Sequence, residues 1–198
     1  GYFDRMQEEA ARRASALVAA ALGASTVEIP FVEAARAAAF VMTCSEGGTL
    51  HLDRLRTRAA DFDPDTRDRL IAGALLPAAH VATAHRVRRK YRDAMRALFR
   101  DVDVIIAPAT PVRAPSLGQK TFELDGQTVP VRANLGLFTQ PFSFIGLPVM
   151  SVPVWTEGEA LPIGVQVIAP AWREDMVVRV AGHLERAGLV GSRVAALG

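Results

Sequence analysis

The amino-acid sequence predicts an α/β protein with a mixed β-sheet flanked by helices. Three observations carry that reading. Apolar residues recur at helical spacing through the front half of the chain. Short β-branched runs bounded by proline follow, VDVIIAP at Val102–Pro108 and LPIGVQVIAP from Leu161. Near the start, VEIP leads into an alanine-rich stretch, and a strand, a proline and a helix in that order are the grammar of an α/β chain.

Each element has its own justification. Met6, Ala10, Ala14, Leu17, Val18, Ala21 and Leu22 fall on one helical face, and Gly23 is a natural stop. Val27–Pro30 reads as a short strand entering a second helix, from Phe31 to about Thr43. Ser45, Glu46, Gly47 and Gly48 then read as the flexible end of that helix. The third helical stretch has the clearest start. Asp63 is a good N-cap, Pro64 suits the first helical position, and Asp65 adds favourable charge in the first turn. Leu70, Ala74, Leu75, Ala78, Val81, Ala84, Tyr91, Ala94, Met95 and Leu98 mark its apolar stripe, which Pro77 is expected to kink or divide. The basic residues His85, Arg86, Arg88, Arg89, Lys90 and Arg92 read as a solvated helix face, because Asp93 and the regular stripe accompany them.

Behind the VDVIIAP strand, residues 109–133 are rich in proline and glycine around a small strand pair turned at Asp125-Gly126. The run QPFSFIGLPVMSVP from Gln140 to Pro153 is apolar enough for a buried strand, yet Gly146, Pro148 and Pro153 interrupt it. A WTEGEA turn, the LPIGVQVIA strand and an amphipathic helix from Ala171 to Leu184 complete the order, with Gly188 near the helix stop.

Composition narrows the function. At 198 residues and 21.3 kDa the chain can bury one substantial core. Lys plus Arg exceed Asp plus Glu by 23 to 21, so net charge gives no case for a nucleic-acid partner. Cys44 is the single cysteine, which excludes an internal disulfide and fits a reducing, cytoplasmic setting. No apolar run is long enough to span a membrane, and nothing resembles a signal peptide. The chain begins GYFDRM, without a leading methionine, and enters helical pattern at once. That suggests a processed or cloned chain, or the back half of a longer protein.

Motifs for familiar chemistry are missing. His51, His80, His85 and His183 are scattered with no zinc-binding spacing, and neither GxGxxG nor a phosphate loop occurs. There is no GxSxG elbow, and neither Lys90 nor Lys120 has a serine partner at an informative spacing. No catalytic residue and no metal ligand is assigned. Polar groups for binding are easier to find. Arg69 lies near the start of a helix with Gly73 one turn on, and either grips a carboxylate or pairs with Asp65 on the surface. Asn134, Gln140 and Gln166 stand in apolar or turn-rich surroundings and suit a ligand or the loop backbone equally.

The order of the pieces is specific. CSEGGTLHLDRL, FDPDTRDRLIAG, DVDVIIAPATP, NLGLFTQPFSFIGLPVMSVPV and LPIGVQVIAP together resemble the C-terminal half of an amidase signature enzyme. AARAAAF, LHLDRLRTRAADFDP and LFTQPFSFIGLP are most similar to the branch that hydrolyses 1-carboxybiuret. The resemblance implies the amidase signature fold, with residues 1–198 as the C-terminal portion of one amidase domain. It also implies serine-based acyl transfer by a Ser-Ser-Lys set from a glycine- and serine-rich region that this sequence lacks. This segment then supplies pocket walls rather than the nucleophile.

RDRLIAG resembles the family's acyl-side pocket wall, making Arg69 the first candidate for a substrate carboxylate. Asn134 and Gln140 match the polar loop before GLP. Glu46 is expected to hold loop geometry, and Gly146 and Pro148 to bend backbone beside the cleft while Ile145, Leu147, Val149 and Val152 pack inward. His51 stands where many relatives carry arginine. The implied enzyme is cofactor-free and acts on a small amide or urea-like substrate. Its other partners would be a second copy or a small accessory subunit, with no nucleic acid or membrane. Two other readings stand beside it, a noncatalytic truncated homologue and a glutamine-hydrolysing amidotransferase subunit.

Overall fold

The structure is a computed structural model that describes residues 1–5, 7–158 and 160–193. Met6 of the first apolar stripe and Glu159 of the WTEGEA turn lie outside those residues. Along the chain run α1 (Tyr2–Arg5), α2 (Glu9–Ala21), α3 (Val32–Leu50), α4 (Leu52–Arg58) and a 3-10 turn (Ala59–Asp61). Next come α5 (Pro64–Ala74), α6 (Ala78–Leu98), β1 (Ile105–Pro108), β2 (Thr121–Leu124) and β3 (Gln127–Pro130). Last are α7 (Val131–Asn134), α8 (Gln140–Ser143), β4 (Val149–Val154), β5 (Ile163–Ile168) and α9 (Glu174–Arg186). These form two compact units, one made of residues 1–29 with the residues from 95 on, the other of residues 30–94.

The first unit is organised by β5, which lies between β1 and β4. Its odd positions Ile163, Val165 and Val167 join Val152 and Val154 of β4 in one core. Cross-strand pairs Val152–Val165 and Val154–Ile163 fix that register. Ala10, Ala11, Ala14 and Val18 of α2 cover the core together with Val177 and Leu184 of α9. The alanine face of α2 has no bulk to hold it off the sheet. All pairings in this sheet are antiparallel. The α/β architecture therefore stands, while the mixed strand direction is not seen among the described strands.

The opening of the QPFSFIGLPVMSVP run is helical rather than extended. Four residues form α8, and Gly146 ends the turn that follows at φ 71°. The Leu147 N–H donates to Phe142 O at 3.3 Å and the Gly146 N–H to Ser143 O at 3.1 Å, the paired bonds of a Schellman stop. Only after Pro148 does the chain extend as β4. The expectation that Val149 and Val152 both pack inward is corrected, since Val152 is 3% exposed and Val149 38%. Residues three apart on one strand face opposite sides. Ile145 and Leu147 are half-buried.

The second unit departs from expectation in two places. Val27–Pro30 forms no strand, because no described strand lies beside it to take its hydrogen bonds, and Pro30 has none to give on its nitrogen. The second helix does not stop near Thr43; α3 continues through Gly47 and Gly48 to Leu50. The reason is α5. A Cβ on Gly73 would sit 1.9 Å from Cys44 O, and one on Gly48 would sit 2.5 Å from Leu70 O and Ala74 N. The two helices touch backbone to backbone, and the glycines that read as flexible are what permits it. The start of α5 matches the sequence, with the Thr66 N–H donating to Asp63 Oδ1 at 3.1 Å. Pro77 divides α5 from α6 as expected. His85, Arg86, Arg89 and Arg92 are exposed on α6.

Two stability outcomes follow. Gly73→Ala must push α5 off α3, and overpacking of this kind costs roughly 1–3 kcal/mol or more; denaturant unfolding should show the loss, and an unchanged midpoint would refute the close contact. At Gly146 a Cβ meets nothing within 4 Å, so the substitution cost is purely conformational. Gly146→Ala should lose about 1–2 kcal/mol, with Gly146→Asn losing less, in the same measurement.

Candidate functional site

Arg69 projects from α5 one turn before the Gly73 contact, half-buried. On α3, Phe40, Cys44 and Gly48 follow one another at four-residue spacing and share a face. The face that brings Cys44 against Gly73 also brings the Phe40 ring beneath Arg69, whose Cζ lies 5.2 Å from the ring centroid. A cation over an aromatic face is attracted by about 0.5–1 kcal/mol at an exposed site. The ring holds the guanidinium in place without neutralising it. Its planar fork of donors stays suited to a carboxylate.

The thiol of Cys44 reports on the same arrangement. Burial pushes it above the ordinary cysteine range, and the positive charge of Arg69 pulls partly the other way. Cys44 is therefore a buried, protonated group at neutral pH and carries no nucleophilic role. Glu46 needs correction: it is exposed on the body of α3, not in a loop, so it does not hold loop geometry. His51 stands at the junction of α3 and α4, with its ring edge-on to Phe62 at 5.7 Å.

In the first unit, the polar loop before β4 is held by aromatic packing. Phe3 stacks on Phe142 at 5.7 Å and lies 5.1 Å from Phe138, while the Tyr2 hydroxyl donates to Leu137 O at 3.2 Å. Asn134 spends its amide N–H on Pro130 O at 2.8 Å, one turn back. Gln166, 1% exposed on the face of β5 away from the helices, donates to Pro108 O at 2.8 Å and Phe138 O at 3.2 Å. It ties the loop to β1, the backbone role left open for it. Gln140 differs, because its buried Oε1 has no hydrogen-bond partner among the described residues. Gly146 and Pro148 set the path into β4, with the Ala169 N–H donating to Pro148 O at 3.0 Å.

So Arg69 and Glu46 belong to one unit, and Asn134, Gln140, Gly146 and Pro148 to the other. The sequence reading missed Phe40, whose four-residue spacing to Cys44 was the available signal, and the Tyr2–Phe3 pair that braces the Gln140 loop. Among the described residues there is no metal-binding group of three or more His, Cys, Asp or Glu. None of the described helices is long and apolar enough to cross a membrane.

Known proteins are similar to this chain in sequence and fold. The Amidase family model matches residues 5–178. The AtzE subunit of 1-carboxybiuret hydrolase from Pseudomonas sp. (strain ADP) is 49% identical over 191 residues, covering 96% of this chain and 42% of the relative. A fatty acid amide hydrolase of Medicago truncatula is 33% identical over 173 residues, covering 86% and 28%. A Glutamyl-tRNA(Gln) amidotransferase subunit of Novosphingobium aromaticivorans is 34% identical over 156 residues, covering 76% and 30%. A solved structure described as an inhibitor-bound vestigial protein complex of an s-triazine catabolic enzyme superposes with a TM-score of 0.93 at 48% identity, covering 96% and 42%. The chain thus spans less than half the length of the relatives it matches. With the family model spanning most of its length and the fold repeated in that structure, this chain belongs to the amidase family.

Proposed function

We propose that this chain is part of an amidohydrolase that cleaves a C–N amide bond of a small linear, carboxylate-bearing substrate such as 1-carboxybiuret. The observation that carries the reading is Arg69, a half-buried guanidinium braced on the Phe40 ring with its donor edges suited to a carboxylate. The similarity to a subunit of 1-carboxybiuret hydrolase over nearly the whole chain supports the choice of substrate. In this reading the segment supplies pocket walls. Arg69 grips the carboxylate. In the other unit, Gln140 Oε1 is a buried acceptor without a partner among the described residues, and Asn134 closes the turn from which its loop departs. Serine-based acyl transfer falls to residues outside this span, with no cofactor. A second copy or a small accessory subunit would accompany it in the cytoplasm.

A glutamine-hydrolysing role is the second reading, favoured by the 34% identical amidotransferase relative. Glutamine also carries a carboxylate, so Arg69 serves either substrate. Release of ammonia from glutamine, compared with release from carboxybiuret, separates the two.

In the complete enzyme, Arg69→Ala should depress kcat/KM for the anionic substrate by about ten- to over a hundredfold, the value of a charge-assisted bond of roughly 1.5–3 kcal/mol. A neutral amide of similar size should lose much less. Arg69→Lys should recover only part, since lysine keeps the charge without the planar fork. Steady-state kinetics on both substrates decide it. Equal losses would mean that Arg69 serves the fold and that the carboxylate is held elsewhere.

A further inference from the structure

One side of β5 faces the helices, and the other carries a buried amide. Val165 and Val167 point into the helix-covered core, so Gln166 between them points the opposite way. Among the described residues no other amide or charged side chain is as deeply buried, at 1% exposed. Such burial is unfavourable unless the polar atoms find partners. Gln166 Nε2 has two N–H groups to give, and its bonds run to Pro108 O at 2.8 Å and Phe138 O at 3.2 Å. Those carbonyls lie 58 and 28 residues away along the chain. Gly164, on the same face of β5, shows how tightly the neighbouring chain is drawn in. A Cβ there would lie 2.8 Å from Ser151 Oγ and 3.0 Å from Ala109 Cβ, the residue that follows the clamped Pro108. Phe138 belongs to the loop between α7 and α8, which also holds the buried Gln140 Oε1.

On the reading of residues 134–148 as pocket wall, we propose that Gln166 is a positioning residue for amide hydrolysis, fixing through the Phe138 carbonyl where that wall stands. Gln166 acts through the loop and does not touch substrate. An apolar side chain of equal size would fill the same space but leave two carbonyls without their donor, and the loop would shift to find water or another N–H. A displaced wall changes how substrate is held. A less stable fold changes only how many molecules are active. KM separates the two, because a smaller active fraction lowers Vmax and leaves KM where it was.

Steady-state kinetics of the full-length enzyme on carboxybiuret and on a neutral amide of similar size test this. Gln166→Met, which keeps the bulk without a donor, should raise KM and lower kcat/KM by about tenfold or more. The factors should be similar for both substrates, since the clamp is indifferent to the carboxylate. Gln166→Glu gives the sharper readout. The carboxyl it introduces faces two carbonyl oxygens, and burial raises its titration above the ordinary glutamate range. Ionised, it repels both oxygens; protonated, it donates to one. The cross-strand neighbours Ala107 and Ser151 and the clamped Pro108 and Phe138 carry no titratable group to blur that step. The kcat/KM of Gln166→Glu relative to wild type should therefore rise as pH falls, while that of Gln166→Met stays flat. An unchanged KM in both variants, or a Gln166→Glu ratio indifferent to pH, would overturn the proposal and leave the functional reading standing. A wild-type enzyme that hydrolyses no amide would overturn both.

Discussion

The backbone contact between α3 and α5 is the constraint on which the Arg69 site depends. With a prospective Cβ of Gly73 only 1.9 Å from Cys44 O, the helices have no room for any side chain between them at that point. Glycine in a helix interior costs about 1 kcal/mol relative to alanine, and Gly47, Gly48 and Gly73 all incur that cost here. It is offset by contact over the rest of the interface, where Leu70 lies against Gly47 and Gly48. The same close approach sets the position of Arg69. Move α5 outward by the thickness of a methyl group, and the guanidinium no longer rests over Phe40.

A different device holds the loop of the first unit. There the chain must pass from a short helix into a sheet strand within a few residues. Gly146 in the left-handed region closes the helix, and Pro148 forces extension in the residue before it. The loop's other end is anchored by the ring cluster of Tyr2, Phe3, Phe138 and Phe142 and by the buried amide of Gln166. A loop restrained at both ends can keep one polar acceptor, Gln140 Oε1, unsatisfied inside. Such a group costs roughly 1–3 kcal/mol, a cost that a rigid surround sustains and a loose one would relieve by rotating the side chain.

Much of this was legible in the sequence, for identifiable reasons. The N-cap at Asp63, the break at Pro77, the hairpin turn at Asp125-Gly126 and the strands around Ile105 and Val165 all rest on local chemistry, and all appear. The failures share a cause. Gly47 and Gly48 look like a helix end because propensity weighs each residue against solvent, whereas here the deciding neighbour is another helix far along the chain. Val27–Pro30 looks like a strand because its composition suits one, but a strand needs a partner. The family pattern singled out Arg69 as a candidate; the Phe40 ring beneath it went unread, although its four-residue spacing to Cys44 puts both on one face of α3.

What separates Arg69 from the ion-paired arginines is the kind of neighbour it has. Arg12, Arg58, Arg113 and Arg173 each face a carboxylate, that of Asp4, Asp61, Glu8 and Asp175 in turn. Pairs of that type on a surface contribute little to stability and largely cancel the charge. A ring neighbour attracts the cation through its quadrupole and leaves the full unit charge in place. The positive charge of Arg69 favours the thiolate of Cys44, against the larger opposing effect of burial. That charged guanidinium, braced on a ring rather than on a carboxylate, is the feature on which the proposed carboxylate grip rests.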